Sequence, residues 1–210
     1  MASKVIKQIY EKCRDSRDEN GQAALASKDV AKILKARFAD LFPGVKFSIR
    51  SDYNSVNVSW VDYPPSKQVE EILCEYKFGG FDGMIDMAYS GKNWLHPDGS
   101  MSGAFCEGTT GSMGTVKAFA TDCPVPGAVL CWCGPRYVFG YHSTSEAVEK
   151  RAAELVLARF GGVYDDSKNP IDQKTSDGDS LWDNRIRYHW NEALNQAILE
   201  TRKDPNTVGV

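Results

Sequence analysis

Val45-Lys46-Phe47-Ser48-Ile49-Arg50-Ser51 and Ser55-Val56-Asn57-Val58-Ser59-Trp60-Val61 decide the fold. Val45, Phe47 and Ile49 alternate with polar residues in the first stretch, and Val56, Val58 and Trp60 do so in the second. A two-residue period is that of a strand with one buried face. Asp52-Tyr53-Asn54-Ser55 supplies turn residues between them, so the pair predicts a β-hairpin. Pro64-Pro65-Ser66 then stops the second strand and opens a helix whose Val69, Ile72, Leu73 and Tyr76 share a side, ended by Gly79-Gly80.

Upstream, Val30, Ile33, Leu34, Phe38 and Leu41 recur at three and four residues behind an expected N-cap at Ser27, and Pro43-Gly44 ends that helix. Val5, Ile6, Ile9, Tyr10 and Cys13 predict a shorter helix before it. Downstream, residues 128–133 and 136–141 read as strands joined by Cys133-Gly134-Pro135. Ser143 and Glu146 have capping-box spacing and start a helix carrying Val148, Ala152, Leu155, Val156 and Phe160. Lys77-Phe78-Gly79-Gly80 and Arg159-Phe160-Gly161-Gly162 close the two halves alike, which suggests an internal duplication, with chance recurrence of post-helix glycine as the alternative. A last amphipathic helix through Trp182, Ile186, Trp190, Leu194, Ala197 and Ile198 packs back on the body or on a second copy, which would give a homodimer. The expected fold class is α+β: two β-hairpin-plus-helix units with flanking N- and C-terminal helices. Residues 1–98 form the first part, 99–127 a glycine-rich connection, and 128–210 the second unit, an acidic loop and the last helix.

Charge and composition narrow the function. The 210 residues carry 25 Lys or Arg against 28 acids, a net charge of −3, so there is no global positive field of the kind a dedicated nucleic-acid binder shows. Residues 1–50 nevertheless hold eleven basic against six acidic side chains, and residues 51–98 three against eight. No apolar run reaches the roughly 18 residues of a membrane span, and lysines interrupt the first hydrophobics, which points to a soluble intracellular chain. Nine of the eighteen glycines lie between Gly79 and Gly114, predicting the least constrained backbone there. Residues 163–183, with six aspartates and no apolar period, read as a solvated connection.

The hairpin, the proline-opened helix and the exit Gly80-Phe81-Asp82-Gly83-Met84-Ile85-Asp86 together resemble one of the large polyvalent protein-associated domains, the twenty-ninth of that series. The resemblance covers about residues 27 to 100, and Tyr137-Val138-Phe139-Gly140-Tyr141-His142 is similar to the segment C-terminal to the module in such proteins. These modules occur in long proteins of phages and conjugative plasmids. The resemblance implies a mobile-element accessory protein in the cytoplasm of a host bacterial cell, acting by binding a host protein or complex, with a CRISPR or restriction system as the expected target. A small nucleic-acid-binding factor is the alternative and an enzyme the third reading.

Two acidic groups are candidates for contact with a partner. Phe81, Asp82, Met84 and Asp86 form either a contact loop or two core residues around a turn, and Glu70, Glu71 and Glu75 offer carboxylates to a basic groove. Lys28, Lys32 and Lys35, at i, i+4 and i+7 with Arg14 and Arg17 nearby, make a stripe along which a phosphate backbone would release counterions, or an ordinary solvated helix face. No catalytic residue, cofactor or metal is assigned. His96, His142 and His189 show no metal-ligand spacing, and Cys106 or Cys133 with His142 is the one thiol-imidazole pairing to consider. The six cysteines are expected to be reduced, with Cys74 buried, and Cys106, Cys123, Cys131 and Cys133 lack the C-x2-C knuckles of a zinc site. Asp165, Asp166, Asp172, Asp177 and Asp179 read as solvated, without calcium-loop spacing. Trp132, Trp182 and Trp190 are expected in the core.

Overall fold

The structure, a computed structural model, describes residues 3–82, 86–106 and 125–202. The α+β class holds, with five α-helices and two mixed sheets among the described residues. Helix α1 (Lys4–Asp15) starts where the Ser3 hydroxyl accepts the Ile6 N–H, and it buries Ile6, Ile9 and Cys13. Helix α2 (Ser27–Leu41) buries Val30, Ile33, Leu34 and Phe38, as its period predicts, while Leu41 is exposed. Ser27 does not cap it. Ala26 holds the cap position, and the Ser27 hydroxyl donates to the Tyr53 carbonyl at 3.0 Å.

The hairpin forms from β2 (Ser48–Ser51) and β3 (Ser55–Val61), antiparallel with Ile49 opposite Val58 and Arg50 opposite Asn57. Val56, Val58 and Trp60 face inward. Helix α3 (Ser66–Glu75) buries Val69 and Leu73, with Tyr76 buried just beyond it. Gly79 and Gly80 do not end this helix; they open strand β4 (Gly79–Asp82), which pairs antiparallel with β5 (Met87–Leu95). Strand β6 (Met101–Cys106) also pairs with β5, so the stretch expected to be least constrained is strand for much of its length up to Cys106. Backbone pairing along β5, which an apolar period does not report, does the ordering. Strand β6 also occupies part of the 99–127 connection.

The second pair of predicted strands is not a hairpin. Strand β7 (Val129–Trp132) lies between β5 and β1 (Gln22–Ala24), in a sheet ordered β1-β7-β5-β4. Strand β8 (Tyr137–Ser143) instead completes the sheet β2-β3-β8. The Asn54 carbonyl accepts the Tyr137 N–H at one end of β8, and the Asp62 N–H donates to the Ser143 carbonyl at the other, so β8 runs in the direction of β3. The crossing is made at Cys133-Gly134-Pro135. Cys133 has φ 65°, the Pro135 carbonyl accepts the Phe78 N–H at 2.9 Å, and a Cβ on Gly134 would sit 2.3 Å from the buried Phe78 ring. Gly161, by contrast with Gly79, does follow its helix directly, at φ 78°. The two ββα halves are therefore not equivalent, and the duplication is not supported.

The chain divides into two compact units, one of Met1–Pro43, Phe47–Ser59 and Val69–Tyr141, the other of Gly44–Lys46, Trp60–Gln68 and His142–Val210. In the second, helix α4 (Glu146–Phe160) is capped by Ser145, not Ser143, and packs on α5 (Asn184–Thr201). Val148, Ala152, Val156 and Leu157 meet Ile186, Trp190, Ala197 and Ile198. The last helix thus covers its apolar face within its own chain, although Trp182, like Trp132 in the first unit, is exposed and not in the core as expected. Residues 163–183 are not simply a solvated connection. Buried Gln173 accepts the Asp165 N–H at 2.9 Å and donates to the Asp165 carbonyl at 2.8 Å, tying the loop to itself, while Lys174 and Ser180 form a β-bridge. Among the described residues no helix is long and apolar enough to cross a membrane.

Candidate functional site

The residues singled out in the sequence fall on separate elements. Phe81 and Asp82 lie within β4, opposite Ala88 and Met87, rather than in a loop; Asp86, exposed with φ 53°, belongs to the turn before β5. Met84 is outside the described residues. Glu70 and Glu71 are exposed on α3. Glu75 is turned to structural use: Arg37 donates to it at 2.6 Å and to the Tyr76 hydroxyl at 2.8 Å, Tyr76 donates on to the Gly99 carbonyl, and the Asn93 amide bonds the Glu75 and Lys77 carbonyls. Burial pushes the Tyr76 phenol well above its ordinary range, so it stays a donor.

Lys28, Lys32 and Lys35 are all exposed on α2, but the stripe is interrupted electrostatically. Asp29 holds Lys12 at 2.9 Å and Lys32 at 3.2 Å. Burial works against the Asp29 charge, yet the two lysine hydrogen bonds outweigh it and hold the carboxyl below the usual range. No hydrogen bond or ion pair among the described residues joins the three lysines to Glu70 or Glu71.

His142 is occupied on every side. Its ring stacks on Trp60 at 5.0 Å, Nε2 lies 2.6 Å from the Asp62 carbonyl and Nδ1 2.8 Å from the Ser66 hydroxyl. Because a carbonyl only accepts, Nε2 donates to Asp62, while Nδ1 shares a hydrogen bond with the Ser66 hydroxyl. A serine hydroxyl within hydrogen-bond reach of an imidazole nitrogen is the spacing of a nucleophile pair. Here the same contacts tie the ends of β3 and β8 to the start of α3, helped by the Asp62 carboxylate on the Ser145 N–H at 2.7 Å. Both ring nitrogens are thus engaged with oxygen partners, and the Cys106 side chain considered as a partner for His142 lies outside the described residues.

Cys13 and Cys131 are buried, and Cys74 and Cys133 exposed. Cys74 thus departs from expectation, since Val69, Leu73 and Tyr76 take the inward positions of α3. The Cys106 side chain and Cys123 fall outside the described residues. No group of three or more His, Cys, Asp or Glu among the described residues is placed to hold a metal ion. Most of the acidic-loop carboxylates have partners of their own. Asp165 takes the Ser167 hydroxyl and Lys168, which hold it far below the usual carboxylate range; Asp166 takes Lys150, and Asp179 takes Arg185.

The site that sequence reasoning missed is the outer face of β8. Val138 is buried and His142 stacks inward on Trp60, so the opposite parity, Tyr137, Phe139 and Tyr141, points away from the sheet's covered side. Phe139 is 45% and Tyr141 56% exposed. Tyr137 and Phe139 lie 5.9 Å apart and parallel within 5°, and Tyr141 continues the row 6.3 Å further on. On the same face of the neighbouring strands stand Ser48, Arg50, Ser55, Asn57, Ser59 and Val61, none of them acidic. The hairpin turn at the head of the row carries Tyr53, 93% exposed. Aromatic alternation at 137, 139 and 141 is the available signal; by itself it reports a strand and no more, because the sequence does not say which face is covered.

The module formed by α2, the hairpin, α3 and strands β4 to β6 is the part that a comparison with known families recognises. Residues 25–118 match the large polyvalent protein associated domain 29. This domain is associated with polyvalent proteins of phages and mobile elements. Its match includes the segment that carries the resemblance, and it ends before β8, so the aromatic row sits on a strand that joins the domain's hairpin from outside the matched segment. No curated protein and no solved structure matches the chain significantly.

Proposed function

We propose that this chain is an accessory protein of a phage or plasmid that acts by binding in the host cell, with the Tyr137-Phe139-Tyr141 row as its contact face. The observation that carries the reading is a row of three outward aromatics on one strand, with Phe139 and Tyr141 about half exposed and Tyr137 partly covered. Aromatic side chains exposed in a contiguous row are costly in water and are the residue type that anchors interfaces. The family match supports the mobile-element setting. Interference with a restriction or CRISPR system is the finer form of the proposal, supported by that setting.

The test is the efficiency of plating of an unmodified phage on restriction-proficient, CRISPR-proficient and defence-deficient hosts expressing the chain. Protection in a proficient host that is lost in the Phe139→Ala, Tyr141→Ala double variant is the expected result. Equal plating with and without the protein in every proficient host refutes the defence role, and full protection by the double variant refutes the contact face.

A further inference from the structure

We infer that the outer face of the β2-β3-β8 sheet binds single-stranded nucleic acid by stacking bases on Tyr137, Phe139 and Tyr141. This inference rests on the contact-face reading above and names its occupant. Successive rings are 5.9 and 6.3 Å apart, near the two-residue repeat of a strand and well beyond the roughly 3.4 Å rise of stacked bases along one strand of a duplex. A duplex therefore cannot present neighbouring bases to neighbouring rings, whereas an extended, unstacked strand can.

The polar complement of the face fits the same ligand. Arg50 is exposed on β2, makes no ion pair among the described residues, and sits beside Asn57 across the hairpin, so a phosphate or a base edge would find a cation and an amide together. Ser48 and Ser59, paired across the same two strands, add hydroxyls. The nearest carboxylate in the hairpin, Asp52, is in the turn and accepts the Tyr53 N–H at 2.7 Å. A chain of net charge −3 has thus kept acids off the outward positions of one aromatic sheet face. Stacking platforms that combine aromatics with sparse cations bind single strands with little sequence preference.

Fluorescence anisotropy of a labelled oligothymidine and of a mixed-sequence duplex of the same length tests this on the full chain. Wild type is expected to bind the single strand more tightly than the duplex. Phe139→Ala weakens binding roughly ten-fold, and Phe139→Leu, which keeps apolar area without a π face, does not restore it. Arg50→Gln lowers the slope of log affinity against log salt by about 0.7, one single-strand phosphate contact. The inference is overturned if wild type binds no single strand at low salt, if duplex binds as tightly, or if Phe139→Leu binds like wild type, which removes base stacking on this ring as the contact. Circular dichroism confirms that each exposed-face variant is folded. Loss of plating protection in the double variant, alongside no single-strand binding by wild type, removes this inference while leaving the contact-face reading intact.

Discussion

Replacing Glu75 by Ala separates an interior charge from a contact residue. The Arg37–Glu75 pair closes to 2.6 Å with side chains only 16% and 30% exposed, so it lies between a surface pair, typically worth about 0–1 kcal/mol, and a fully buried one, whose rupture costs about 3–5 kcal/mol. Glu75→Ala leaves the guanidinium with the Tyr76 hydroxyl as its remaining neighbour in this network and strips a long 3.3 Å acceptor from the Met101 N–H. The expected loss is about 2 kcal/mol, whereas Glu70→Ala and Glu71→Ala, both on exposed positions, stay within about 0.5 kcal/mol of wild type. Urea unfolding followed by fluorescence and circular dichroism reads this as a lowered midpoint at unchanged slope. A double-mutant cycle with Arg37→Met should return a coupling of about 1–2 kcal/mol. A Glu75→Ala protein as stable as Glu70→Ala, or a cycle that closes with no coupling, would refute an interior role for the pair.

Asp29→Asn should cost about 1 kcal/mol at neutral pH, since both lysine partners are largely exposed. The native carboxyl titrates below the unfolded value near 3.9, so this stability is present above that pH and disappears as pH falls through the native value; wild type and variant should begin to converge in acid melts only below about pH 4 and meet once the native carboxyl is protonated. Gln173→Leu removes two good hydrogen bonds and strands the Asp165 backbone, which predicts a loss of about 2–3 kcal/mol and faster hydrogen exchange at the Asp165 amide; unchanged exchange there would show that the loop does not depend on Gln173. Alkylation of the native chain followed by mass spectrometry should modify Cys74 and Cys133 quickly and Cys13 and Cys131 slowly, and equal rates would contradict their burial.

Much of the secondary structure was legible because helices and half-buried strands write their period into the sequence. Val30, Ile33, Leu34 and Phe38 fix α2, and Val56, Val58 and Trp60 fix β3, whatever the rest of the chain does. Strands β4 to β6 were not legible, for glycines and small polar residues give no period and those strands are held by backbone pairing along β5. Of the predicted site residues, the exposure of Glu70, Glu71 and the three lysines followed from helical spacing alone. The interior role of Glu75 did not, because Arg37 is 38 residues away in the chain.

The aromatic row shows the division most plainly. Sequence by itself determined that Tyr137, Phe139 and Tyr141 share one side of a strand and Val138 the other, since side chains alternate at every residue of an extended backbone. Only the tertiary structure decided that β8 leaves β7 and joins β3, with the Trp60–His142 stack on the covered side and the three rings in water. Alternation is a local property of the chain; which side is buried is set by what packs against it, and those atoms come from residues about 80 positions away.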